Sequence, residues 1–233
     1  MNETLKQELT VTYEADGEKI KLTPSIVQQY IVGTDAHITP QEFKFFTSLC
    51  KARGLNPFLK EAYCIKYGNN PAQIVVGKDA ILKRALRNAN FNGMESGVIV
   101  KNLESGTITE RCGTFYDAET EKLVGGWAKV YRKDWQHPTY SSVSIAEAAQ
   151  RKRDGGLNQN WSTKAATMIE KVAKVRALRE TFVDDLGGMY EAEEISSPTE
   201  SEKPAEPEII QQEEPDGQSV KQNEAIDVSF SEL

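Results

Sequence analysis

The stretch from 93 to 145 constrains the fold more than any other. GVIVKN, TITERCGTFYD, LVGGWAKVYRK and TYSSVSI are short runs rich in β-branched and aromatic residues, separated by the turn-forming clusters ESG and DAETEK. Runs of this kind read as strands, and turns this short favour antiparallel pairing, so an antiparallel meander of three or four strands is expected. A helix then runs from about Ser162 to Val183. Ala165, Met168, Val172, Val175 and Phe182 follow a three-to-four spacing there, with Arg179 in the same register. Strands followed by a helix, without βαβα alternation, place the chain in the α+β class, an antiparallel β-sheet backed by helices. No internal repeat of 20–50 residues is visible.

Upstream, residues 1–22 read as loosely structured. PSIVQQYIVG (24–33) reads as a short helix with Thr23 as N-cap and Pro24 in its first turn. TPQEFKFFTSLCKARG carries stronger signals: Thr39 caps, Pro40 starts, Glu42 completes a capping box and Gly54 stops the helix. Phe43, Phe46, Leu49, Cys50 and Arg53 share its core face. EAYCIKYG and AQIVVG form a hairpin around NNP. KDAILKRALRNAN (78–90) is an amphipathic helix with Ala80, Ile81, Ala85 and Leu86 inward and Lys83, Arg84 and Arg87 outward.

Charge divides the chain. Residues 191–233 hold 13 acidic and 2 basic residues, a net of −11, and the preceding 190 hold 26 basic and 22 acidic, a net of +4. A basic body can meet a polyanion while its acidic tail repels or competes with one. SSPTESEKPAEPEIIQQEEPDGQ cannot bury enough apolar surface to offset its ordering entropy and reads as disordered. The closing AIDVSFSEL has two readings, a solvated end or a short docking motif. Three segments follow: 1–36, an N-terminal extension and candidate subunit-contact segment; 37–190, the core; and 191–233, the acidic tail. No apolar run approaches the ~20 residues that span a bilayer. MNETLKQELTVTYEADGEK lacks the basic start and apolar centre of a signal peptide. A soluble, cytoplasmic protein is expected. Cys50, Cys64 and Cys112 match no metal-ligand spacing and read as buried small hydrophobes.

Enzymatic patterns are scarce. No GxxxxGK[ST] is present, and none of the glycine pairs at 125–126, 155–156 and 187–188 precedes a Lys-Ser/Thr pair at a helix start, so ATP dependence is not expected. No GxSxG occurs. His37 and His137 lack a second ligand at metal spacing, and the acidic pairs Asp184–Asp185 and Glu193–Glu194 sit at a helix end and in the tail. YRKDWQHP (131–138) has two readings. Asp134 and His137 suggest a metal-dependent nuclease; Arg132 and Lys133 suggest a turn that grips a phosphate backbone.

Basic residues interleaved with aromatics remain. Lys78, Lys83, Arg84 and Arg87 form one cluster; Lys129, Tyr131, Arg132, Lys133 and Trp135 a second; Arg151, Lys152 and Arg153 a third. Trp161, Lys164, Lys171, Lys174, Arg176 and Arg179 run along the last helix as the fourth. Asp154 and Glu170 are the only acids between 151 and 179. Any single Lys reads as part of a solvated face, but this concentration of them is the footprint of a phosphate-binding surface. Trp135 and Trp161 either stack on bases or pack in the core. Arg179 occupies an apolar position of the helix pattern, so it must pair with an acid or face a wet groove.

These residues carry a resemblance. LNPFLKEAYCIKYGNNPAQIVVGKDAILKRA (55–85), YRKDWQHP with its strand continuation, and Trp161 through MIEKVAKVRALRETF to GGMYEAEE (187–194) resemble, in order, the phage RecT/Bet single-strand annealing proteins. The resemblance implies a β-β-β-α core that assembles into rings or helical filaments. It implies ATP-independent annealing of complementary strands, with single-stranded DNA and the annealed duplex as ligands. Implied partners are further copies of the chain, a phage exonuclease and the host single-strand-binding protein, in the cytoplasm of a bacterial host and with no membrane role. No cofactor or catalytic residue is implied, and Mg²⁺ enters at most as a modulator. Carried over by position, DNA contacts fall to Arg132, Lys133, Lys164, Lys171, Lys174, Arg176 and Arg179. Lys78, Lys83, Arg87, Trp161 and the loop Arg151, Lys152 and Arg153 join them from the charge pattern. A passive single-strand binder is the alternative.

Overall fold

The first described strands, β1 (Val11–Ala15) and β2 (Glu18–Leu22), turn on Asp16 and Gly17, both at positive φ (54° and 80°). Asp-Gly between alternating strands is a strong two-residue hairpin signal. The segment expected to be loose is therefore ordered from residue 9. The computed structural model describes residues 9–32, 37–66, 70–152, 154–192 and 194. All of these lie in one unit, 1–197, and residues 198–233 lie outside the described residues. Arg153, AIDVSFSEL and most of the acidic tail fall outside the description.

Helix α1 (Pro24–Ile26) is capped by Thr23 and runs into a π-helical turn, Val27–Ile31. Tyr13, Ala15, Ile20, Leu22, Val27 and Ile31 belong to the same buried cluster as the rest of the unit. The boundary expected at residue 36 therefore does not separate the described residues 9–32 from the core. Helix α2 (Pro40–Arg53) has the expected capping box from Thr39 and Glu42 and ends on Gly54 in the left-handed region. Glu42 also accepts from Ala72 N–H at 2.8 Å and pairs with Lys66 at 2.8 Å. Burial works against its charge, but these donors outweigh it and hold the carboxyl at about 2.

Strands β3 (Ala62–Ile65) and β4 (Gln73–Val76) form the expected hairpin, followed by α3 (Lys78–Arg87). Ala80, Ile81 and Ala85 face inward as expected, whereas Leu86 is 56% exposed. Four strands then build the main sheet: β5 (Phe91–Asn102), β6 (Ile108–Cys112), β7 (Glu121–Arg132) and β8 (Thr139–Ser144). Their order is β6-β5-β7-β8, so the expected sequential meander is not formed. The two 12-residue strands β5 and β7 pair at the centre, and the short, exposed β6 is left at an edge. That arrangement puts the apolar residues of both long strands on one continuous face. Exposed Cys112 on β6 departs from the buried reading, while burial pushes the thiols of Cys50 and Cys64 up to about 12.

The C-terminal helical region is divided into α4 (Ile145–Ala148), α5 (Gln159–Thr163), α6 (Ala165–Thr181) and α7 (Val183–Leu186). Helix α6 backs the sheet. Val98, Val100, Ala128, Val130 and Val143 share a buried cluster with Ile169, Val172, Ala173 and Leu178. Each fully buried Val, Ile or Leu contributes about 1.5–3 kcal/mol. Gly126 sets the closeness of this packing, since a Cβ there would lie 2.5 Å from Ile169 O. Gly126 thus serves helix-on-sheet approach, whereas a Cβ on its neighbour Gly125 would lie 2.7 Å from Val143 O of β8. Beyond α7, Met189 is fully buried and Val76 N–H donates to Tyr190 O at 2.8 Å, so residues 189–190 are tied to the edge of β4.

Candidate nucleic-acid interface

Strand alternation divides the second sequence cluster between two faces. Gly126 meets α6, so Ala128, Val130 and Arg132 face the same way. Arg132 donates to Thr181 O at 3.0 Å, grips Asp134 through Nε and NH2 at 2.8 and 2.7 Å, and lies over the rings of Trp135 and Phe182. It fastens the end of β7 to the end of α6, which leaves little of its charge free for a strand. Asp134 is correspondingly held below the usual carboxylate range by Arg132, and Asn90 also donates to it. His137 is exposed. Exposed Lys133 reaches back to Ala89 O at 2.8 Å.

Lys129 and Tyr131 occupy the outer face instead. The Lys129 ammonium lies 5.0 Å from the ring centre of Trp127 and 5.6 Å from that of Tyr140, whose hydroxyl donates to Glu110 at 2.6 Å. Sequence reading missed Trp127 and Tyr140 as partners of Lys129. The β7–β8 pairing joins Lys129 to Tyr140 and no spacing within one strand reveals it, whereas Trp127 lies two residues away on the same face of β7 and strand alternation carries that signal.

Three expected cations meet in one place. A cavity of about 80 Å³ between α3 and α6 is lined by Lys78, Lys171 and Lys174, with Leu82, Thr167 and Glu170 among the other residues. Lys78 is exposed and makes no ion pair among the described residues. Lys174 pairs with Glu170 at 2.9 Å, one helical turn away, and Ser96 also donates to Glu170. Lys164, at the start of α6, is exposed. Arg176 pairs with Glu147 at 2.8 Å across an open surface. Exposed pairs of this kind contribute about 0–1 kcal/mol, so a phosphate oxygen can replace the carboxylate at little cost.

Other candidates are committed to the fold. Lys83 bridges Asp16 and Glu61, and Arg87 pairs with Asp16, so the Asp-Gly turn is pinned to α3. Lys83 first, then Arg87, holds the Asp16 carboxyl below its usual range. Trp161 is 1% exposed, with no face open to a base, and its indole N–H has no hydrogen-bond partner among the described residues. This corrects its expected place among DNA contacts; Asn158 caps α5 and turns the ring inward. Arg151 donates to Gly155 O at 2.9 Å, and both it and Lys152 are exposed in a loop closed by the Arg151–Leu157 bridge.

Arg179 finds its acid. It forks onto both Glu194 oxygens, donates to Met189 O at 3.3 Å and lies 4.5 Å from the ring centre of Tyr190. Lys171 pairs with Glu191 at 3.4 Å. Residues 189–192 and Glu194 therefore form a strap across the cations of α6, with Gln150 donating to Ala192 O at 2.7 Å. Both strap carboxylates are at most 5% exposed.

Among the described residues no group of three or more His, Cys, Asp or Glu side chains is placed to hold a metal ion. No described helix is long and apolar enough to cross a membrane. No curated protein matches the chain significantly. A family model does: the RecT family model matches residues 18–208, running from β2 through α7 and beyond. This match covers most of the chain, and the chain belongs to the RecT family.

Proposed function

We propose that the chain binds single-stranded DNA along the α3–α6 face and promotes annealing of complementary strands without ATP. The observation that carries this is the meeting of Lys78 with Lys171 and Lys174 in one cleft, in a chain of the RecT family. Annealing makes and breaks no covalent bond. The protein has to neutralise phosphates on two strands that otherwise repel, and it has to leave the bases unread so that pairing supplies specificity. Lysines on a helix face suit this, because ammonium groups contact the backbone without sequence preference. A strand reaches Lys171 and Arg179 by displacing Glu191 and Glu194, so the strap sets how much of α6 is open. Assembly into a ring or filament multiplies a weak contact per subunit into a long track. The DNA-acting role places the protein in the cytoplasm of a phage-bearing host, beside an exonuclease that exposes single strands.

The test is to mix complementary labelled oligonucleotides with purified protein and no nucleotide. Pairing is expected to run faster than without protein. Binding with no acceleration turns the reading to a passive single-strand binder, and cleavage of either strand in Mg²⁺ turns it to a nuclease.

A further inference from the structure

Arg84 stands apart from its neighbours on α3. Lys83 and Arg87 each have a carboxylate partner. Arg84 is half-buried, and its side chain makes no hydrogen bond or ion pair among the described residues. Its guanidinium lies against the end of α2, where a Cβ on Gly54 would be 3.2 Å from NH2. Burial disfavours its charge, and Arg53 and Arg87 add to this against the pull of Glu61 and Asp16. Arg53 spends its own donors on the carbonyls of Asp184, Asp185 and Gly187.

In front of Arg84 is a cavity of about 190 Å³, lined by Arg84, Arg87, Asn88 and Asp185. With about 30 Å³ per water, it has room for several waters or one tetrahedral oxyanion. A guanidinium offers a planar fork that matches two phosphate oxygens. Asp185 sets the charge the site accepts. It takes a hydrogen bond from Asn88 Nδ2 at 2.6 Å and faces the same space, so it opposes a second negative charge on the guest. A singly charged phosphodiester fits these constraints better than a dianionic phosphate.

We propose that Arg84 holds one phosphodiester of the bound strand in the cavity between α3 and α7, whose wall includes the Asp16-paired Arg87. The site deepens the DNA-binding reading and rests on it for the identity of the strand. By helix rise, Arg84 lies about 9 Å along α3 from Lys78, so the cleft and the cavity lie along one helix.

The experiment uses the full chain, Arg84→Gln and Asp185→Asn. In a salt titration of a single-stranded oligonucleotide, Arg84→Gln is expected to lower affinity about five- to tenfold at about 50 mM salt and to reduce the salt slope by about 0.7. Its Tm is expected to equal or exceed that of the wild type, because a half-buried cation between two others is removed. Sodium dimethyl phosphate should raise the wild-type Tm above that in equal NaCl, and should not do so for Arg84→Gln. Inorganic phosphate at pH 8 should gain the same effect in Asp185→Asn. An unchanged slope with a lowered Tm identifies Arg84 as a brace and overturns the proposal. So does an unchanged slope with no dimethyl phosphate effect on the wild type, and the DNA reading then survives. If the wild type binds no oligonucleotide but dimethyl phosphate still protects it through Arg84, the anion site stands and the DNA reading falls.

Discussion

Replacing Lys78, Lys164 and Lys174 together by alanine is expected to lower single-strand affinity by about 10²–10³-fold at about 50 mM salt. The magnitude comes from counterion release. Each phosphate contact on a single strand contributes a slope of about 0.7 in log K against log salt, so three contacts remove about 2 from the slope. Extrapolated from molar salt down to about 50 mM, that difference amounts to two to three decades. These lysines were chosen for their surroundings. Lys78 is exposed and unpaired among the described residues, Lys164 is exposed, and Lys174 pairs with a carboxylate on its own helix. Their loss leaves the strap and core intact, so folding stability should stay within about 1 kcal/mol of the wild type. An unchanged slope in a folded triple variant removes the cleft from the DNA track.

The second large effect concerns the strap. Glu191→Gln with Glu194→Gln is expected to act in opposite directions on stability and binding. Arg179 and Lys171 are mostly buried against these carboxylates, with 17% and 20% of their side chains exposed. Breaking such a pair costs toward the low end of about 3–5 kcal/mol, because a buried cation loses its counter-charge. Tm should therefore fall. A strand can supply the missing charge, so single-strand affinity should rise by about one to two decades at low salt as two cations become available. Added oligonucleotide should restore more Tm to the variant than it adds to the wild type, as linkage requires of a ligand that binds the folded form. A lowered Tm with unchanged affinity marks the strap as a permanent brace. The contacts favour exchange downstream of Met189. That residue anchors through apolar burial, whereas Glu191, Ala192 and Glu194 are held by ion pairs and hydrogen bonds.

Local chemistry made much of this fold legible. Thr39, Pro40, Glu42 and Gly54 mark the bounds of α2 because capping is decided within a few residues. The Asp16–Gly17 hairpin carried an equally local signal, masked in reading by the polar residues around it. The strand order was not legible. Nothing within β5, β6 or β7 states that β7 passes over β6 to pair with β5, since that choice is made by the continuity of a buried face. The site divides the same way. Composition identifies the cations, but a cation's availability depends on its partner. Asp134 lies two residues from Arg132, Glu194 lies 15 from Arg179, and Asp16 lies 67 from Lys83. The first pairing is visible in YRKDWQHP, while the others are products of folding. Charge alone groups Arg84 with its neighbours; that its side chain has no hydrogen-bond or ion-pair partner among the described residues emerges only on folding.

The central claim is that DNA lies along α3 and α6. A single-stranded oligonucleotide carrying photoreactive 5-iodouracil, crosslinked to the full chain and mapped by mass spectrometry, tests it most directly. Adducts are predicted in the peptides holding Lys78–Arg87 and Ala165–Thr181. Adducts confined to the outer sheet face, around Trp127 and Tyr140, contradict it.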